Sequence, residues 1–170
     1  MSELAGLLER YRRGAELVAM TMTGAAGAEV DYVAEPGKWS VRQIVCHLAD
    51  SEMIAAMRLR QILAEDEPAL IGFNQDLWAE RLDYAKKKPS HAIETFRRIR
   101  GENYELLKDL GDEAFGRGGM HPKRGRVTLL DMLTLFTNHA EKHALQIRNV
   151  RAAYKEVRAA AQAAAKPAAQ

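Results

Sequence analysis

A single cysteine, Cys46, cannot form an internal disulfide, so the fold has no covalent staple of that kind and suits a reducing compartment such as the cytoplasm. Aromatic residues make up only 6% of the chain, and no stretch alternates β-branched with polar residues, which argues against a sheet-based core. No apolar run approaches the length that spans a bilayer. The opening MSELAGLLERYRRGAEL carries charges through its apolar positions, unlike a secretory leader. A formal charge of +2 is too near balance to recommend nucleic acid or an anionic membrane as partner. What the 170 residues do hold is abundant Ala, Leu, Glu, Arg and Lys, a helical composition long enough for one domain with its own core.

Four amphipathic segments carry that composition, near residues 2–20, 40–64, 90–110 and 128–156. The first sets Leu4, Leu7, Leu8, Tyr11, Ala15 and Val18 on one side, with Ser2 as its cap. The second opens on a capping box, Ser40 with Gln43, with Trp39 stapled over its entry, and runs an apolar stripe through Val41, Ile44, Val45, Leu48, Ala55 and Leu59. His47 falls off that stripe, on a flank shared with Ser51, Ile54 and Arg58. The third carries Ile93, Phe96, Ile99, Leu106, Leu107 and Leu110, with Gly101 in its middle as a candidate close-packing point. Residues 1–156 are expected to form an all-α four-helix bundle with a long crossover between helices two and three, and the Ala-rich residues 157–170 a tail that frays from the fourth helix into disorder after Pro167.

Thr21 to Lys38 reads as a loop. Glu65 to Lys88 is the crossover, holding a short helix capped by Asn74 in which Leu77 and Trp78 either lid one end of the core or touch substrate. Lys86, Lys87 and Lys88 read as a solvated helix end. Gly111 to Arg126 contains five of the twelve glycines and reads as a turn-rich loop with room for a short strand pair. Its Arg117, Lys123, Arg124 and Arg126 are either solvated or meet an anionic substrate at the bundle mouth.

The fourth segment carries the chemistry. Thr128 with Asp131 caps it, and Leu129, Met132, Leu133, Phe136, Ala140, Ile147 and Val150 draw its stripe. His139 and His143 stand inside that stripe, four residues apart and so stacked on one face, with Gln146 a turn further on. Imidazoles among Leu, Met and Phe are costly unless their nitrogens are satisfied. A metal ion gripped between them would do so; a hydrogen-bonded core histidine is the plainer alternative. The pair needs a third ligand from elsewhere in the chain, and His121, ahead of Pro122, is a candidate for a further one.

WSVRQIVCHLADSE, FNQDLWAER, HPKRGRVTLLDML and HAEKHALQI together resemble the DinB superfamily of DinB-like and YfiT-type metal-dependent proteins, from the first helix to about Tyr154. The resemblance implies a ligand set of His47, His139 and His143, a divalent metal, zinc or nickel above others, and a homodimer. It also implies a small-molecule substrate and, for characterised members, reactions that use a low-molecular-weight thiol. Three neutral imidazoles leave a coordination position open. A thiol bound there would lose its proton and serve as nucleophile in S-transfer, whereas bound water would serve in hydrolysis. A non-catalytic stress-response metal-binding module is the third possibility. Gln146 is the candidate to orient water or substrate, against a plain packing hydrogen bond. Glu52, an acid on the second helix's apolar stripe, is a candidate base, against a buried pairing role. Cys46 points about 100° away from His47 on the helical wheel and reads as a packed thiol.

Overall fold

In the computed structural model, which describes residues 2–165, Ser2 accepts the Ala5 amide and opens α1 (Glu3–Met22). The segment read as a loop holds one short helix, α2 (Ala28–Asp31). Ser40 and Gln43 form the expected capping box at the head of α3 (Val41–Ala64). Asn74 caps α4 (Gln75–Arg81) within the crossover by accepting two amides. Pro89, preset for a first helical turn, starts α5 (Pro89–Leu107). Thr128 and Asp131 close their capping box on α6 (Leu129–Ala164). Residues 157–164, assigned above to the tail, are helical: Ala is the strongest helix former and nothing in that stretch interrupts it. The break expected at Pro167 lies outside the described residues.

The four long helices form an all-α bundle. α1 packs on α5 and α6, and so does α3, so α1 and α3 face each other across a diagonal. Two apolar blocks fill the bundle. One gathers Tyr11, Ala55, Leu59, Leu107, Leu129 and Leu133. The other gathers Val18, Ile44, Leu48, Phe96, Ala140 and Ile147. The order in which each helix visits the blocks gives its direction: α1 runs parallel to α6, and α3 parallel to α5. Consecutive parallel helices cannot be joined by a tight turn, which is why the crossover between α3 and α5 is long. It must travel back along the bundle, and α4 lies on that route.

Between the blocks is a polar layer. Arg100 and Glu52, each 1% exposed, form an ion pair at 2.7 Å. Tyr11 donates its hydroxyl to the same carboxylate, Asn103 donates to it at 3.2 Å, and Arg100 also donates to the Phe136 carbonyl at 2.9 Å. Each of the four helices therefore supplies a group. A Cβ on Gly14 would run into the Arg100 guanidinium and come within 3.2 Å of the Ala140 methyl, so the close helix approach is here. Gly101, the candidate for that role, faces open space.

Before α6 the chain forms a hairpin, β1 (Gly118–His121) against β2 (Gly125–Thr128), with Gly125 at φ +73° to close it. Met120 exchanges backbone hydrogen bonds with the crossover, donating to Pro68 at 2.8 Å and accepting from Leu70 at 3.0 Å. The hairpin is thus tied to the start of the crossover.

Replacing Arg100 with Ala leaves the Glu52 carboxylate buried without its counter-charge, a loss of about 3–5 kcal/mol. Urea denaturation of the variant should show that loss; a change under about 1 kcal/mol would mean the pair carries little.

Candidate metal centre

α3 and α6 are neighbours, and the off-stripe flank of α3 is the one turned toward α6. That brings His47, His139 and His143 together with one ring nitrogen each inside a 4.8 Å cluster. The Nε2 of His139 stands 3.0 Å from Nε2 of His47 and 3.1 Å from Nε2 of His143. Two nitrogens that each lie about 2.1 Å from one ion stand roughly 3.0 to 3.4 Å apart, so the spacing matches shared coordination.

Hydrogen bonding within the trio accounts for only one of its two short contacts, since both share Nε2 of His139. Nδ1 of His143 lies 2.7 Å from Oε1 of Gln146 and must donate to it, so a neutral His143 presents a bare lone pair at Nε2. His139 has a single N–H to offer toward two facing nitrogens. Protonation is no remedy, because burial, followed by the neighbouring imidazoles, pushes His47 down to about 3 and His139 to about 2. His143 is lowered as well, by burial first, with Gln146 opposing. Three converging lone pairs that resist protons fit a divalent cation, and imidazole suits the zinc–nickel range better than magnesium or calcium.

Two cavities reach the histidines. One of about 430 Å³ is floored by His47 and His139 and walled by Phe73, Phe136 and Leu135. The other, about 470 Å³, touches His143 and Gln146 and is bounded by Trp39, Leu145 and Asn149. Gln75, at the head of α4, borders both. The crossover therefore covers the histidines: Phe73 lines the first cavity, and Trp78 backs it with ring centroids 5.0 Å apart.

The other candidates sort plainly. Gln146 holds the His143 ring through its hydrogen bond to Nδ1. Glu52 is not among the residues lining either cavity; Arg100, Tyr11 and Asn103 bond to it in the polar layer. His121 lines the first cavity but stays outside the nitrogen cluster, its Nδ1 accepting the Lys123 amide at 3.1 Å. Cys46 is buried beside Ala79 and Tyr84, and burial raises its thiol to about 11. Lys86 pairs with Asp83 at the surface, as befits a solvated helix end.

Three contributors escaped the sequence reading. Trp39, read only as a helix staple, also packs its ring 4.7 Å from the His47 ring. Ser51, four residues after His47 and so one turn along, places its hydroxyl 3.3 Å from His47 Nε2. Gln75 had no signal beyond its place at the head of a capped helix.

Comparison with known proteins agrees with this geometry. Residues 10–147 match the DinB superfamily. YfiT of Bacillus subtilis (strain 168) is 33% identical over 121 residues, 71% of this chain and 68% of its own. A relative from Oceanobacillus iheyensis is 26% identical over 134 residues, 79% of this chain and 77% of its own. Both are named, provisionally, as metal-dependent hydrolases. The solved YfiT structure, described as "a probable metal-dependent hydrolase with an unusual four-helix bundle topology", superposes with a TM-score of 0.82 at 27% identity, over 88% of this chain and 87% of that one. Mycothiol-dependent maleylpyruvate isomerase superposes with a TM-score of 0.69 at 13% identity, over 86% of this chain and 61% of that one, a likeness of fold alone.

Single replacements His47→Ala, His139→Ala and His143→Ala should each strip metal from the purified protein by elemental analysis while the far-ultraviolet circular dichroism keeps its helical form. Gln146→Leu should weaken metal affinity about 10- to 100-fold, the usual cost of losing a group that orients a ligand. Unchanged metal content in all four would rule out the centre.

Acid should act on the metal-free protein too. The folded histidines take up protons well below 6.5 and the unfolded chain near it, so the unfolded state holds more protons in between. The depressed values therefore contribute stability above about 6.5 that is lost as pH falls toward about 3. Urea midpoints of metal-free protein should drop across that window, and metal affinity should fall with them.

Proposed function

The chain belongs to the DinB superfamily, and on that premise we propose that it is a metal-dependent enzyme acting on small molecules, a thiol-dependent S-transferase that works at His47, His139 and His143. The observation that carries this reading is the pair of cavities meeting at the histidines, each roomy enough for a small molecule and larger than a water-only route requires. A low-molecular-weight thiol would enter by one and an electrophilic partner by the other.

A divalent ion held by the three histidines, zinc or nickel in our reading, would supply the Lewis acidity that makes a thiol or water acidic near neutral pH. The chain's own groups do the rest. Gln146 fixes the ring of His143 so that Nε2 stays free to ligate. Phe73 and Phe136 wall the first cavity with apolar surface and limit the water that competes with a thiol. Gln75 stands between the two entrances, placed to bond with either reactant.

Hydrolysis is the second reading, favoured by the provisional names of the bacillary relatives. The homodimer implied by the resemblance and a cytoplasmic location belong to the proposal as well; light scattering of the purified protein addresses the first.

Metal-loaded protein should consume a thiol in the presence of alkyl halides or epoxides, and lose that activity on chelation or in His139→Ala. Metal-dependent turnover of esters or amides without added thiol would replace transfer with hydrolysis. Metal retention with neither activity would support a binding module.

A further inference from the structure

The first cavity sorts its charges in a way that metal binding does not explain. Arg58, His121, Lys123 and Arg124 line it, and no Asp or Glu does. Cations of the same stretch that face elsewhere have acid partners: Arg126 pairs with Glu67 at 2.7 Å, and Arg117 with Asp66 at 3.4 Å. Among the described residues, no carboxylate pairs with Arg58, Lys123 or Arg124.

Arg58 is the telling member. It is only 5% exposed. Its Nε and Nη2 both donate to the Ile71 carbonyl, at 3.0 and 2.8 Å, while Nη1 makes no hydrogen bond among the described residues. A buried guanidinium without a counter-ion is unfavourable, and its burial and the charge of Arg124 make it less basic than an exposed one. His121 feels burial first, then Arg58, Arg124 and Lys123. Its Nδ1 accepts the Lys123 amide, so Nε2 carries the proton it can donate. Several donors thus line one cavity, none paired with an acid among the described residues.

We propose that this cavity binds its small-molecule substrate by an anionic group, a carboxylate or a phosphate, seated against Arg58, His121 and Arg124. The reactive part of the molecule then lies on the floor beside His47 and His139. That orientation rests on the function proposed above; the anion seat does not. A planar guanidinium and an imidazole N–H give directional, charge-assisted bonds to oxyanions. Phe73, Phe136 and Leu135 supply the apolar wall for the body of the substrate.

The test uses benzoate, phenyl phosphate and the neutral benzamide as probes in isothermal titration calorimetry, on zinc-loaded and metal-free protein. At least one anion should bind tenfold or more tightly than benzamide, and the tighter of the two identifies the group. Arg124→Met should cost about tenfold, the worth of one charge-assisted bond, and Arg126→Met should cost nothing. Arg58→Met is a companion variant; because Arg58 also holds the Ile71 carbonyl, the exposed Arg124 carries the test. Anions binding no better than benzamide would overturn the proposal, as would indifference to Arg124→Met. Anion binding that disappears with zinc and ignores Arg124 would place the anion on the metal and leave the proposed function standing. Anion binding that persists, sensitive to Arg124, in a protein that retains no metal would uphold the seat and defeat that function.

Discussion

Burial of the Arg100–Glu52 pair is the constraint on which the rest of the bundle depends. Two charges at the centre of a helical core are tolerated only when every remaining donor and acceptor is engaged, and Tyr11, Asn103 and the Phe136 carbonyl do that here. Apolar side chains slide past one another with modest loss. A fully bonded polar layer does not, so it fixes the register of all four helices. Gly14 shows the tolerance: even a methyl group would meet the guanidinium.

The histidines inherit their alignment from that layer. Glu52 lies just over one turn beyond His47 on α3, and Phe136 lies just under one turn before His139 on α6. Holding Glu52 and Phe136 on the same arginine therefore sets how α3 and α6 meet at the level of the three rings. The burial that depresses the imidazoles toward neutrality also suits them to a cation, so the packing and the ligand chemistry share one physical cause. The same chain directions demand a long crossover, and its route past the rings covers them with Phe73 and Gln75.

Much of this was legible in the sequence because it is local. Caps at Ser2, Ser40, Asn74 and Thr128 and stripes of period 3.6 announce themselves within a few residues, and His139 with His143 reads from spacing alone. What depended on contacts between helices did not read. His47 sits on a flank whose burial depends on which neighbour it meets, and only the family resemblance pointed to it. Gly101 and Gly14 look alike in a helical pattern, yet only Gly14 has a helix against it. Glu52 on an apolar stripe called for a partner, and that partner, Arg100, lies forty-eight positions away. The charge sorting between Arg124 and Arg126 follows from their places, Arg124 in the turn between the strands and Arg126 within β2, a distinction that appears once the strand register is known.

The hairpin and the crossover are joined through the main chain, by the amides and carbonyls of Pro68, Leu70 and Met120. Bonds of that kind make no demand on side-chain identity. The tip residues Lys123 and Arg124 can therefore be exchanged without dislodging the wall they stand on, while the histidines beneath remain pinned by the core. Such a division means that point changes at the tip alter what the mouth admits while the three histidines beneath keep their places.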